Sequence, residues 1–214
     1  MKKGFMQVMF PQKEEVVPRL RFADFNDRWE QRKLGDIADI IGGGTPSTTE
    51  KKYWNGKINW YSPVEIGEQT YVDDSQKKIT ELGLKKSSAK ILPVGTILFT
   101  SRAGIGSTAI LAKEAATNQG FQSIVPHEER LDSYFMYSRS HELKRYGEKY
   151  GAGSTFVEIS GKEMGKMLVF IPTLEEQQKI GIFIKELDNL INFEQQKIDT
   201  LNTLKQAFLQ KMFI

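Results

Sequence analysis

The sequence predicts an α+β chain: one mixed domain of strands and short helices, followed by a single long C-terminal helix. Three observations carry this. The last forty or so residues, from Pro172 to Ile214, hold an unbroken helical pattern. The preceding 150 or so alternate short apolar runs with Gly and Pro punctuation, the mark of short strands and turns. The length of 214 residues allows one sizeable core plus an appendage.

The C-terminal helix starts at a marked point. Thr173 precedes Leu174-Glu175-Glu176, so Thr173 can cap the first turn while Glu176, three residues on, closes a capping box. Apolar residues then recur as Ile180, Phe183, Ile184, Leu187, Leu190, Ile191, Ile198, Leu201, Leu204, Phe208 and Met212, filling positions a, d and e of a heptad. At 1.5 Å per residue the helix is roughly 60 Å long, beyond what one domain covers, so the stripe is expected to pair with a helix of another chain. Folding back onto its own domain is the alternative. Glu194 and Lys197 fall at a and d in mid-stripe, where polar groups fix register at a cost in stability.

Met1 to Phe10 reads as a helical fragment with Phe5, Met6 and Met9 on one side. MKKGFMQVMFP aligns with the C-terminal LKQAFLQKMFI at a constant offset of 203, setting Phe5 on Phe208, Gln7 on Gln210, Met9 on Met212 and Phe10 on Phe213. Such an end-to-end repeat suggests one unit of a duplicated architecture that starts where a preceding unit's helix would stop. Pro11 to Pro18 follows as a charged linker, giving three regions: 1–17, helix remnant and linker; 18–171, the mixed domain; 172–214, the long helix.

Within the mixed domain, Trp29 and Leu34 anchor the entry. Asp36 to Ile41 reads as a strand ended by Gly42, Gly43 and Gly44, which lack the spacing of known nucleotide loops. Ser47 and Glu50 suggest a short capped turn. INWYS (58–62) is a strand; Trp54, Trp60 and Tyr61 are either core or a stacking platform for bases. A short helix is expected over Ile79 to Lys86, and ILPVGTILFTSRAGIGSTAILA reads as two strands around a glycine-rich turn that carries Ser101 and Arg102. TNQGFQSIVP supplies a strand with Asn118, Gln119 and Gln122. One amphipathic helix, with Leu131, Phe135, Leu143 and Tyr146 as its buried members, spans Asp132 to Tyr150. YGAGST (150–155) is a glycine loop with two hydroxyls, Ser160 and Glu163 cap another short helix, and Met167 to Ile171 is the last strand.

Composition narrows the function classes. The net charge of +3 and pI near 8.9 are mildly basic, but from Lys77 to Lys113 seven basic residues face only Glu81, a local excess suited to phosphate. There is no cysteine, which removes disulfides and thiolate metal sites and fits a cytoplasmic protein. No run is long enough for a membrane span, and the N-terminus lacks a signal-peptide core. His141-Glu142 opens like a zinc-protease motif, but Arg145 stands where its second histidine belongs. With no nucleophile elbow and no cofactor fingerprint, neither catalysis, a metal nor a cofactor is expected.

Arg102 on a rigid turn suits bidentate contact with guanine or a phosphate, and Asn and Gln suit adenine. An exposed arginine without a target, and ordinary turn hydrogen bonds for the carboxamides, are the plain alternatives.

Taken in order, WEQRKLGDIADIIGGGTPST, INWYSPVEIG, ILPVGTILFTSRAGIGSTAIL, TNQGFQSIVP and GSTFVEISGKEMGKMLVFIPTLEEQQKIG, followed by the long helix, resemble a target recognition domain of type I restriction-modification specificity (S) subunits. The resemblance implies a non-catalytic DNA-reading subunit that recruits methyltransferase (modification) subunits and, through them, a restriction subunit. Family members carry two recognition domains and two long helices packed as an antiparallel coiled coil, whereas this chain has one of each plus a stub, as either a natural half-subunit or a fragment of a full-length subunit would. Two copies are therefore expected to pair through Ile180 to Met212 and read an interrupted palindrome in double-stranded DNA. An assembly antagonist that binds protein partners without reading DNA is the competing expectation. The residues expected on DNA are Ser101, Arg102, Asn118, Gln119, Gln122, Ser154 and Thr155, with Lys85, Lys86 and Lys90 on phosphates.

Overall fold

The computed structural model describes residues 2–12, 15–67, 69–102, 104–153 and 157–212. Its elements run α1 (Lys2–Met9), β1 (Glu30–Lys33), β2 (Ala38–Gly42), β3 (Trp54–Tyr61), β4 (Tyr71–Val72), β5 (Lys77–Ile79), α2 (Glu81–Lys85), β6 (Ile97–Phe99), β7 (Thr108–Leu111), β8 (Ala115–Thr117), β9 (Gln122–Pro126), α3 (Ser133–Ser138), α4 (Ser140–Tyr150), α5 (Gly161–Met164), β10 (Leu168–Ile171) and α6 (Leu174–Met212). This is an α+β arrangement with a long C-terminal helix.

The largest sheet has the order β2-β9-β6-β7-β4, antiparallel except for the β4–β7 pair. A second sheet, β5-β3-β8, mixes an antiparallel and a parallel pair, and β1 pairs with β10. Alternation along the strands divides the core. Ile97 and Phe99 of β6 face one apolar cluster, with Phe135, Leu34 and Trp29. Leu98, between them, faces another with Tyr61, Leu111 and Phe121. Successive side chains point to opposite faces of a strand, so the five-stranded sheet is apolar on both sides because both sides are covered.

Several elements depart from the sequence reading for local reasons. Leu34–Asp36 forms a 3-10 turn, because Leu34 N–H donates to Met167 O at 2.8 Å, and the strand starts two residues later than expected. The turn after the glycines is Lys51–Tyr53 and has no side-chain cap. The single helix expected from Asp132 to Tyr150 is broken at Arg139, whose guanidinium is buried and donates to Phe170 O at 2.7 Å and to Glu142. At the same place Ser138 Oγ donates back to Phe135 O at 2.6 Å, a bond that competes with the helical ladder.

The two halves of α6 sit in different surroundings. Over its first fifteen residues it packs on its own domain: Ile180 and Ile184 are 2% and 1% exposed within the main cluster. Glu176 N–H donates to Thr173 Oγ1 at 3.4 Å, the cap expected. The Glu176 carboxylate does not close a capping box; it is fully buried and accepts from both Nε and Nη2 of Arg21 at 2.7 Å. Gln177 ties the same turn down: its amide donates to Arg130 O and Pro172 O at 3.0 Å and its carbonyl accepts from Asp132 N–H at 3.0 Å. Tyr134 Oη donates to Asp188 at 2.8 Å. From Asn189 to Met212, roughly 36 Å at 1.5 Å per residue, α6 is exposed throughout.

Ile180 and Ile184 are thus unavailable for pairing with another chain, contrary to expectation, because their own domain covers them. Phe183 is partly covered as well, edge-on to Phe5 of α1 and Phe22. The apolar stripe has two owners. The N-terminal segment is part of the core: Met9 and Phe10 are buried, and the Phe10 ring packs against Trp29 and Phe135.

Candidate nucleic-acid interface

The surface of interest is built where four loops meet at one end of the sheets. The segment after β2 passes so close to the end of β8 that a side chain at Gly43 would collide with the carbonyls of Thr117 and Asn118. Only glycine permits that approach. A side chain at Gly44 would likewise collide with Ser88 and the Ala89 backbone, so the loop after α2 lies against the same segment. Gly44 N–H donates to Thr117 O at 2.8 Å, and Trp60 Nε1 donates to Gly44 O at 2.8 Å. The glycine run is a close-packing device that joins loops.

This packing brings sequence-distant polar groups together. Thr45 Oγ1 donates to the side-chain carbonyl of Gln119. Asn118 Oδ1 accepts from Gly120 N–H at 2.7 Å, folding 118–120 into a tight turn. Gly120 O in turn accepts from Ser101 N–H at 2.8 Å, which holds Arg102 over that turn. The guanidinium lies 3.8 Å from the Glu158 carboxylate, both groups well exposed. An exposed pair at that separation is worth little, so it orients the fork without committing it. The resulting path runs from Ser88 through Gly44, Thr45, Gln119 and Gly120 to Arg102.

The lysines flank this path. Lys85 ends α2, Lys86 follows it, and Lys90 lies just beyond Ala89; all three are exposed. Thr80 Oγ1 caps α2 by accepting from Gly83 N–H at 3.0 Å.

Other expected residues fall elsewhere. Ser101 is fully buried, and its hydroxyl has no hydrogen-bond partner among the described residues; its side chain faces inward. Gln122 is half-buried beside Gly42 and Gly161, the first residue of α5. Ser154 and Thr155 lie outside the described residues. The aromatic platform does not form: Trp60 and Tyr61 are buried, Trp54 is edge-on to Trp60, and burial, helped by Asp73 and Glu65, pushes the Tyr61 hydroxyl up to about 12. Thr45 and Glu158 were not singled out from the sequence. The glycine run is the only signal that pointed toward Thr45, and none marked Glu158.

The comparisons with known proteins match this architecture. The family model described as the type I restriction modification DNA specificity domain matches residues 26–203. The chain belongs to the type I restriction-modification specificity family. It is 35% identical over 189 residues to the MjaIX specificity subunit of Methanocaldococcus jannaschii, covering 87% of this chain and 44% of that protein. It is 33% identical over 171 residues to the EcoR124I/EcoR124II specificity subunit of Escherichia coli, covering 76% and 42%. Among solved structures, the HsdS subunit from Thermoanaerobacter tengcongensis superposes with a TM-score of 0.65 at 20% identity, over 92% of this chain and 44% of that one. A chain from a study of assembly and conformational transition of the type I R-M system superposes at 0.71 and 21%, over 96% and 48%. This chain therefore spans less than half the length of these relatives. Among the described residues no helix is long and apolar enough to cross a membrane.

Proposed function

We propose that this chain is the DNA-reading unit of a type I restriction-modification system, contributing one reading head and one spacer helix. The observation that carries the reading is the contiguous polar edge from Thr45 and Gln119 to Arg102, flanked by exposed lysines, in a chain whose family model is a DNA specificity domain. Arg102 and the Gln119 carboxamide read base edges, and Lys85, Lys86 and Lys90 hold phosphates, the division of labour usual at protein–DNA contacts. Catalysis belongs to the methyltransferase subunits, which bind the helical part, and to a restriction subunit that joins through them.

Two copies pair through α6, by the half-buried Leu187 and the exposed Leu190, Ile191, Ile198, Leu201, Leu204 and Phe208, and so set two identical heads apart. A two-fold assembly of identical heads reads inverted half-sites. The test is selection of bound sequences from random duplex DNA in the presence of the modification subunits. An interrupted palindrome is the expected product; two unrelated half-sites would refute the symmetric pairing. Selection of no sequence at all would refute DNA reading and favour the antagonist.

A further inference from the structure

Two observations point to one seat on α6. The first is the repeat, in which five of the nine residues 2–10 are identical to their counterparts in 205–213 and Phe5 aligns with Phe208. The second is where α1 lies: the Phe5 ring is edge-on to Phe183, centroids 5.3 Å apart, and Met6 and Val8 pack on the same cluster. A segment that matches the end of α6 is thus already seated against its beginning.

We propose that α1 is an internal stand-in for the end of a second copy's α6. The two are alternative occupants of the seat beside Phe183, and two copies pair fully only when α1 leaves it. This rests on the copy-to-copy pairing proposed above and deepens it by fixing the register and naming what opposes assembly.

Replacing Phe5 by Phe208 of a second copy places Phe208 against Phe183. With the helices antiparallel, the same alignment sets Leu187 against Leu204, Leu190 against Leu201, and Glu194 against Lys197, each contact made twice by symmetry. These are alternating a and d layers, the pattern that fills a two-helix seam. The two charged positions that interrupt the stripe meet each other across the two-fold axis. A slide of one heptad in either direction sets Glu194 against Leu204 or Leu190, and Lys197 against Leu201 or Leu187. A parallel pair sets each charge against its own copy. The α1 seat and the charge placement are separate observations, and they select the same register.

In the free chain Lys197 Nζ lies 2.8 Å from Glu194 of its own helix, with both side chains about half exposed. Exchanging that bond for one across the seam costs little. The two occupants differ in what carries them: α1 spans Lys2–Met9, whereas the incoming segment belongs to a 39-residue helix. The incoming segment also offers Met212 where α1 offers Met9.

The chain has no cysteine, so introduced thiols report cleanly. In F5C/F183C, oxidation at low concentration closes a bond within one chain and locks α1 down. Sedimentation velocity should then show a monomer, with the dimer recovered on reduction, while F183C/F208C should form a covalent dimer across copies. Glu194→Lys or Lys197→Glu alone should weaken self-association by at least about tenfold, and the double variant E194K/K197E should restore it; both sites are exposed, so folding is not in question. Oxidised F5C/F183C that dimerises as readily as the reduced form overturns the proposal, as does a double variant no better than the singles. In either case a wild-type dimer leaves the pairing itself intact. Wild-type protein that stays monomeric at every concentration overturns the pairing and the stand-in together.

Discussion

The base and the shaft of α6 carry the same heptad but not the same role. At the base, Ile180 and Ile184 are sealed into the domain core. Along the shaft, Leu190, Leu201 and Phe208 are 54%, 64% and 58% exposed. The difference teaches that a heptad states how much apolar surface needs cover and says nothing of who provides it. In this chain the domain covers the first turns, α1 covers Phe183 in part, and the rest of the stripe is exposed.

The sharpest way to break the comparison is at the clamp under the base. Glu176→Ala leaves the Arg21 guanidinium, 11% exposed, without its carboxylate, and removing one partner of a buried pair costs about 3–5 kcal/mol. Urea unfolding should show that loss, whereas the matching change on the shaft, Glu194→Ala, should leave the midpoint almost unmoved. Next in size is the apolar contrast. Ile184→Ala should destabilise the fold by about 2–5 kcal/mol, while Leu201→Ala should change monomer stability by no more than about 0.5 kcal/mol and act instead on the concentration at which dimer forms. Equal effects on unfolding would mean that the shaft is covered within one chain. Smallest is the contrast at the reading edge. Arg102→Ala should cost about 1–3 kcal/mol at a single base position, and Lys86→Ala should weaken all sequences alike and reduce the salt slope by roughly one. Binding titrations on matched and mismatched duplexes at several salt concentrations check both.

Much of the fold was legible from the residues because local chemistry decided it: the Thr173 cap of α6, the Ser160 cap of α5 and the β6–β7 hairpin stand where turn and cap residues put them. Less of the site was legible. Ser101 and Arg102 are neighbours in sequence, yet one faces the core and the other the surface, a division set by how the turn meets Gly120 and Ile159. The break at Arg139 and the bond from Arg21 to Glu176 depend on groups 31 and 155 residues away, beyond the reach of any periodicity. The polar edge was expected as scattered residues; what gathers them is the close approach allowed by Gly43 and Gly44.

The clamp at Glu176 and Gln177 also has a mechanical side. A shaft held only at its foot converts a small pivot there into a large sweep at its tip, about 6 Å of travel for a tilt of about 10° over roughly 36 Å. In the paired assembly proposed above, such a pivot would change the distance between the two heads, which makes the buried hydrogen bonds of Glu176 and Gln177 at each foot part of the ruler.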